Sequence, residues 1–185
     1  ARSALKLLAA LDAFGLAVEG RSALDIGAST GGFTQVLLQR GARHVVAIDV
    51  GHGQMQPALR SDPRVLLREG LNARDLARED LGGHPVEFVC CDVSFISVTL
   101  ALPPALALAE PGASGAFLIK PQFEAGRDAI GGNGLLRDPA EGQRVAERLA
   151  RWLDAQPGWR STSPIPSPIT GGDGNTEYLV AGHKA

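Results

Sequence analysis

The apolar run Ser22 to Ile26 ends in Asp25-Ile26-Gly27-Ala28-Ser29-Thr30-Gly31-Gly32-Phe33. Glycines directly after a buried strand let backbone lie against a ligand, and open α/β sheets bind ligands outside the carboxyl ends of their strands. The spacing is not the dinucleotide fingerprint. That pattern needs a second glycine two residues after the first, so that backbone can approach a pyrophosphate, and here Ser29 stands in that place. S-adenosylmethionine has no pyrophosphate. It needs a loop on which its methionine part can lie and an acidic group near its amino end. The turn from Asp25 through Gly27, Ser29, Thr30, Gly31, Gly32 and Phe33 is therefore expected to hold that donor. A second strand, His44 to Asp49, ends in an aspartate 22 residues after Gly27 and is followed by Val50. A carboxylate there can accept from both hydroxyls of a ribose, a feature shared with dinucleotide binders; the plainer reading is a cap on the next turn. Asn72 and Ala73, after the next strand, stand where such folds contact an adenine, or they form an ordinary turn. Lys120 directly follows Ala116-Phe117-Leu118-Ile119, and Asp92 ends Val86 to Asp92. A lysine closing so apolar a run is hard to explain as mere surface.

The elements that must position these groups alternate. Helical spacing of Leu5, Leu8 and Leu11 marks 3–14, and Phe33, Val36 and Leu37 mark one face of 31–40. Strands are expected at 22–26, 44–49, 65–68, 86–92 and 116–120, with closing strands at 159–168 and 178–182. Further helices are expected at 97–109, interrupted by Pro103 and Pro104, and at 139–155, with Pro139 in its first turn. Strand–helix alternation with strands apolar on both faces predicts an α/β, doubly wound, mostly parallel seven-stranded sheet; taken with the expected donor turn, this is the arrangement of a Rossmann-like methyltransferase. The Gly-rich, charged stretch 123–135 is expected to be a loop beside the end of the fifth strand.

The length of 185 residues suits one domain. Eighteen Lys and Arg against 20 Asp and Glu give a formal net charge of −2, which supplies no global pull toward nucleic acid or anionic membrane. Cys90 and Cys91 are adjacent and alone, which excludes a disulfide framework and a cysteine zinc site and fits a reducing, cytoplasmic setting. The four histidines have no ligand spacing, no metal is expected, and no apolar run reaches the ~18 residues of a membrane span. Oligomeric state is left open.

Three segments together resemble one family: Asp25 to Thr34, Asp92-Val-Ser-Phe-Ile-Ser97, and Ile119-Lys-Pro-Gln-Phe-Glu124. The chain looks like the haemolysin-A-like (TlyA) group of ribosomal RNA ribose 2′-O-methyltransferases, with the FtsJ-type fold, from Lys6 to Tyr178. The resemblance implies a Lys-Asp-Lys-Glu catalytic tetrad. Carried over residue by residue, it falls on Lys6, Asp92, Lys120 and Glu177, the last within Asn175-Thr176-Glu177-Tyr178. It implies S-adenosylmethionine as cofactor and ribosomal RNA or a ribosomal subunit as partner. Such relatives carry a small amino-terminal RNA-binding domain. Residues 1–185 are accordingly read as a methyltransferase domain from which that RNA-binding part is missing.

Methyl transfer is an in-line displacement in which the enzyme chiefly aligns the partners. A ribose hydroxyl must also lose its proton, and a lysine can assist as base or orient the hydroxyl. Lys120 is the best candidate for either role, with Lys6 as its cationic neighbour or a phosphate clamp, and Asp92 and Glu177 holding the lysines. The plain structural alternatives are a strand-end cap for Asp92, an exposed edge strand for Glu177 and a solvated helix face for Lys6. Phe95 could flank a base or sit in the core. Two other functions compete: a small-molecule O-methyltransferase on the same scaffold, and a haemolysin or binding protein without methylation activity.

Overall fold

The computed structural model describes residues 2–185. Helix α1 (Arg2–Phe14) buries Leu7, Ala10 and Leu11 and stops at Gly15, whose φ of +63° ends the helix. Strand β1 (Ser22–Ile26) leads through the glycine-rich turn into α2 (Gly32–Gln39); β2 (His44–Asp49), a short α3 (Pro57–Arg60) and β3 (Val65–Glu69) follow. Strand β4 (Phe88–Cys91) precedes two short helices, α4 (Val98–Ala101) and α5 (Pro103–Leu108), the break falling where the two prolines were expected to place it. Strand β5 (Ser114–Ile119), α6 (Ala140–Asp154), β6 (Trp159–Ser161), β7 (Ile165–Pro166) and β8 (Tyr178–Lys184) complete the chain.

The sheet runs β3-β2-β1-β4-β5-β8-β6, with β7 paired to β8 off that path. The first five are parallel, and β8 enters antiparallel between β5 and β6. The doubly wound, mostly parallel expectation holds. The closing strand expected at 159–168 is split: Thr162-Ser163-Pro164 lies outside both pairings, so β6 and β7 meet β8 at different registers and the sheet has eight strands. The stretch 123–135 has neither long helix nor strand. It carries the 3₁₀ turn Arg127–Ala129 and a single bridge from Ile130 to Leu136.

Successive strand residues feed opposite layers. Leu24, Val46, Val89, Cys91 and Phe117 pack toward α4, α5 and α6, while Ala23, Val45, Phe88, Cys90 and Leu118 pack toward α1 and α2. The two cysteines thus serve different layers, both buried and unpaired. Phe117 meets Trp159 edge-on, ring centroids 6.1 Å apart. Lys184 Nζ donates to the carbonyls of Leu106 (2.7 Å) and Ala109 (2.8 Å), closing the end of α5. No helix among the described residues is long and apolar enough to cross a membrane.

A carboxyl group of β1 lies inside the layer packed against α2. Asp25 on β1 is fully buried and accepts from Thr34 Oγ1 (2.7 Å), while its Oδ1 has no partner. Burial pushes its carboxyl from 3.8 up to about 7, with Asp92 and Asp49 adding repulsion against help from Thr34 and Cys90. The folded state therefore holds this proton more tightly than the unfolded chain. Its contribution to stability is full below the ordinary carboxyl value and is lost as pH rises through about 7. Each tenfold change in proton affinity is worth roughly 1.4 kcal/mol, so the effect is on the order of a few kcal/mol. Asp25→Asn mimics the neutral acid. Thermal melts between about pH 5 and about pH 8 should show the wild type losing more stability with rising pH than Asp25→Asn does; parallel curves would mean that Asp25 does not titrate there.

Candidate active site

The carboxyl ends of β1 and β4 meet at Gly27. Its φ is +79°, and a Cβ there would stand 2.1 Å from the Asp92 carbonyl oxygen, so only glycine fits. Past this contact the loops diverge around a cleft of about 700 Å³. Its walls include Gly27, Ser29, Asp49, Val50, Asn72, Ala73 and Asp92 from the expected set. Asp25, Thr30, Gly31, Gly32 and Phe33, the rest of the expected set, stand behind this wall and do not line the cleft itself. The reason is local. The turn bends inward after Ser29, so that Gly31 (φ +102°), Gly32 and Phe33 are buried at the start of α2. A Cβ on Gly31 would stand 2.5 Å from Leu59. Thr30 is exposed and gives only its carbonyl, to the Gln56 N–H. These five residues shape the turn from behind.

Asp49 does cap the turn: Oδ1 accepts the Ser29 N–H (3.1 Å) and Oδ2 the Gly51 N–H (2.9 Å). Each oxygen keeps lone-pair capacity, so capping and accepting from a ligand are compatible. Ser29, in the place of the missing glycine, has φ +52°, a left-handed conformation that costs a side-chain-bearing residue some strain. The cleft is lined by apolar groups as well as polar ones. Ile26, Ile48, Leu71, Val93 and Ile96 face the ring of carboxylate, amide and hydroxyl groups. A nucleoside with an amino-acid tail and a cationic centre fits this set: flat apolar walls, a carboxylate at Asp49 and another at Asp92.

The four tetrad positions gather at one end of the sheet. Lys120 Nζ is paired with Asp92 Oδ1 and donates to Ser94 Oγ (3.0 Å). Lys6 Nζ donates to Glu177 Oε1 (2.7 Å), both groups being buried. The register pairs Ile119 with Tyr178, so Lys120 and Glu177 stand at the same edge of β5 and β8. Gln122 Nε2 reaches both Asp173 Oδ2 (3.2 Å) and Glu177 Oε2 (3.5 Å). A Cβ on Gly171 would stand 2.4 Å from Glu177 Oε2, so this glycine makes room for the carboxylate. Glu177 is thus not on an exposed edge, nor Lys6 on a solvated face. Asp92 belongs both to the cleft wall and to the lysine pair.

Beside the cleft, Phe95 is 89% exposed at φ +64° and tilts against Phe123 with centroids 4.8 Å apart. Phe95 is therefore not a core residue. With Gln122, Gly126, Arg127 and Ile130 these rings line a second depression of about 660 Å³. Sequence reading missed Ser94, Ser97, Leu71 and Gln54 as wall residues. Ser94 and Ser97 lie within the Asp92–Ser97 motif and could have been found there; Leu71 and Gln54 carry no local signal. No group of His, Cys, Asp or Glu among the described residues could hold a metal, and His44 stacks on His84 with centroids 3.4 Å apart.

The chain is 48% identical over 179 residues to the 16S/23S rRNA (cytidine-2′-O)-methyltransferase TlyA of Mycobacterium tuberculosis, covering 97% of this chain and 66% of that protein. Hemolysin A of Brachyspira hyodysenteriae is 39% identical over 180 residues, covering 97% of this chain and 74% of the relative. The crystal structure of a hemolysin-named protein of Lactococcus lactis superposes with a TM-score of 0.94 at 44% identity, over all of this chain and 88% of that one. The chain spans about two thirds of the length of the curated relatives it matches first. The description FtsJ-like methyltransferase matches residues 1–184, and the chain belongs to the FtsJ-like methyltransferase family.

Proposed function

We propose that this chain is the catalytic domain of an S-adenosylmethionine-dependent methyltransferase acting on a ribose 2′-hydroxyl of ribosomal RNA. The observation that carries the reading is the sharing of Asp92 between the cleft and the Lys120 pair, with the Lys6–Glu177 pair at the same edge of the sheet. The relatives' names support the RNA substrate. A net charge of −2 alone would have suited a small-molecule substrate equally well.

Gly27, Ser29, Asp49, Asn72 and Ala73 would hold the donor, Val50 would border it, and Asp92 would stand near its positive centre. S-adenosylmethionine, when bound, supplies a methyl group already activated by a charged sulfur. The chain's own residues then have an alignment task. An ammonium has three N–H donors. At Lys120 two are engaged, by Asp92 and Ser94, which leaves one to donate to the oxygen of an acceptor hydroxyl and orient it, the hydroxyl's own proton leaving to water as the oxygen attacks. Lys6, fixed by Glu177, provides a second cation for the electron-rich acceptor. The exposed rings of Phe95 and Phe123 offer a face on which an acceptor base can stack.

Asp49→Ala should lose roughly 1–3 kcal/mol of donor binding, as expected for hydrogen bonds to a charged group. Calorimetry with S-adenosylhomocysteine checks this; tight NAD binding with no binding of the methyl donor's product would overturn the cofactor. Lys120→Ala should keep that affinity while single-turnover methylation of ribosomal subunits drops about 100-fold or more. A near-normal rate would remove Lys120 from the mechanism. Methyl incorporation into alkaline-stable ribose marks the 2′-O product, whereas incorporation only into small molecules would favour the alternative substrate class.

Phosphate contacts supply most non-specific nucleic-acid affinity, and these 185 residues carry 18 basic against 20 acidic side chains. We therefore place most of the RNA affinity in an amino-terminal RNA-binding domain of the full-length protein. Titrating rRNA at two salt concentrations should show weak binding and a shallow salt slope for residues 1–185. The full-length protein should bind more tightly and with a steeper slope, at equal donor affinity. Equal slopes would mean that the methyltransferase domain carries its own RNA surface.

A further inference from the structure

Two loops form the lip between the cleft and the second depression. One runs from Asp92 to Ser97 after β4; the other runs from Lys120 to Glu124 after β5. At the strand ends they are joined by Lys120, which holds Asp92 and Ser94. In the middle, Phe95 meets Phe123. At the far side the joint is a single carboxylate. Glu124 Oε1 accepts the Val98 N–H (2.9 Å), and Oε2 accepts from Ser97 Oγ (2.8 Å). Ser97 Oγ in turn accepts the Thr99 N–H (3.1 Å) and lies 2.8 Å from Thr99 Oγ1. Glu124 thus caps α4 from another segment of the chain, 26 residues away in sequence.

We propose that Glu124 is a positioning residue whose carboxylate braces the β5 loop against the β4 loop and thereby aligns Lys120, Ser94 and Phe95 for the reaction. The inference rests on the reading of Lys120 as the group that addresses the acceptor. At the Ser97 end of the β4 loop, the Glu124 carboxylate is the group that joins the two loops. Phe95 sits in a left-handed conformation that a bulky residue adopts only when its surroundings hold it there. The carboxylate is half-buried, and no cation among the described residues forms an ion pair with it; Arg148 donates instead to the Glu124 carbonyl (3.2 Å). Its partners are the loop-anchoring donors Ser97 and Val98, which is what a brace requires and what a surface ion pair would not show. An error of about 1 Å in aligning reacting groups can cost on the order of 100-fold in rate.

Three substitutions in the full-length protein test the brace. Glu124→Gln can still accept from Val98 and meet the Ser97 hydroxyl, so it keeps both bridges. Glu124→Ala removes them, and Glu124→Asp keeps the charge on a side chain one methylene too short to span the loops. Single-turnover methylation of ribosomal subunits should fall about 10- to 100-fold in the Ala and Asp variants, with Gln recovering most of the loss. S-adenosylhomocysteine affinity should fall by a smaller factor than the rate, because Asp49 and the glycine turn keep their own hydrogen bonds when the β4 loop, which supplies Ser94, Phe95 and Ser97 to the cleft wall, loosens. Deuterium uptake should rise in 92–98 and 120–126 in the Ala and Asp variants and stay near wild type in Gln, a readout that needs no turnover and survives failure of the methyltransferase reading. Uptake unchanged in Ala and Asp would overturn the brace. So would normal rates in every variant, or Gln falling as far as Ala, with wild-type turnover showing that the underlying reading still stands.

Discussion

At Gly27 the ends of β1 and β4 come so close that no side chain fits between the turn and the Asp92 carbonyl. The Asp92 N–H donates to Ile26 (2.9 Å), extending the ladder one residue beyond the strand. The cleft is arranged around this contact. It fixes Asp92 on the cleft wall, forces the turn to bend away, and leaves the space into which Asp49, Asn72 and the β4 loop project. In the order β3-β2-β1-β4-β5 the chain leaves β1 in one direction for β2 and β3, and in the other for β4 and β5. The crevice outside the strand ends opens at that switch.

The charges near this point are handled in two ways. The Lys6–Glu177 pair is nearly dry, with side-chain exposures of 9% and 3%, and it ties the first helix to the strand that enters the sheet last. Burying two charges is costly, and breaking such a pair leaves an uncompensated one, typically at about 3–5 kcal/mol. The pair is therefore a firm link between α1 and β8. The Lys120–Asp92 pair is more open, at 12% and 19%, and Ser94 shares the lysine. This pair therefore keeps contact with both solvent and the cleft. Asp25 solves the same problem differently: buried without a cation, its carboxyl is pushed up to about 7.

Strain concentrates at the rim. Ser29 and Phe95 are the two non-glycine residues with positive φ among those described, and both border the cleft. Ser29 is held through its N–H by Asp49, and Phe95 lies on a loop pinned at both ends. Unfavourable backbone conformations persist where surrounding contacts over-determine them. Here those contacts come from other strands' loops, not from neighbours in sequence.

The amino-acid sequence by itself determined the alternation of strands and helices, the two-layered core and the position of the glycine turn. These follow from local periodicity and from strands that are apolar on both faces. It also marked Asp49, Asp92 and Lys120, because a polar residue closing an apolar run must lie at a strand end. Only the tertiary structure decided which way side chains face after the strands stop. Asp25 and Gly31 to Phe33 turned inward behind the cleft, Phe95 turned out to solvent, and Ser94 joined Lys120. Only the antiparallel insertion of β8 beside β5 brought Glu177 to Lys6, 171 residues away, and to the edge where Lys120 stands. Helical and strand periods report which face of an element is buried, but not which distant strand lies beside it; that is set by competition among registers for the whole core.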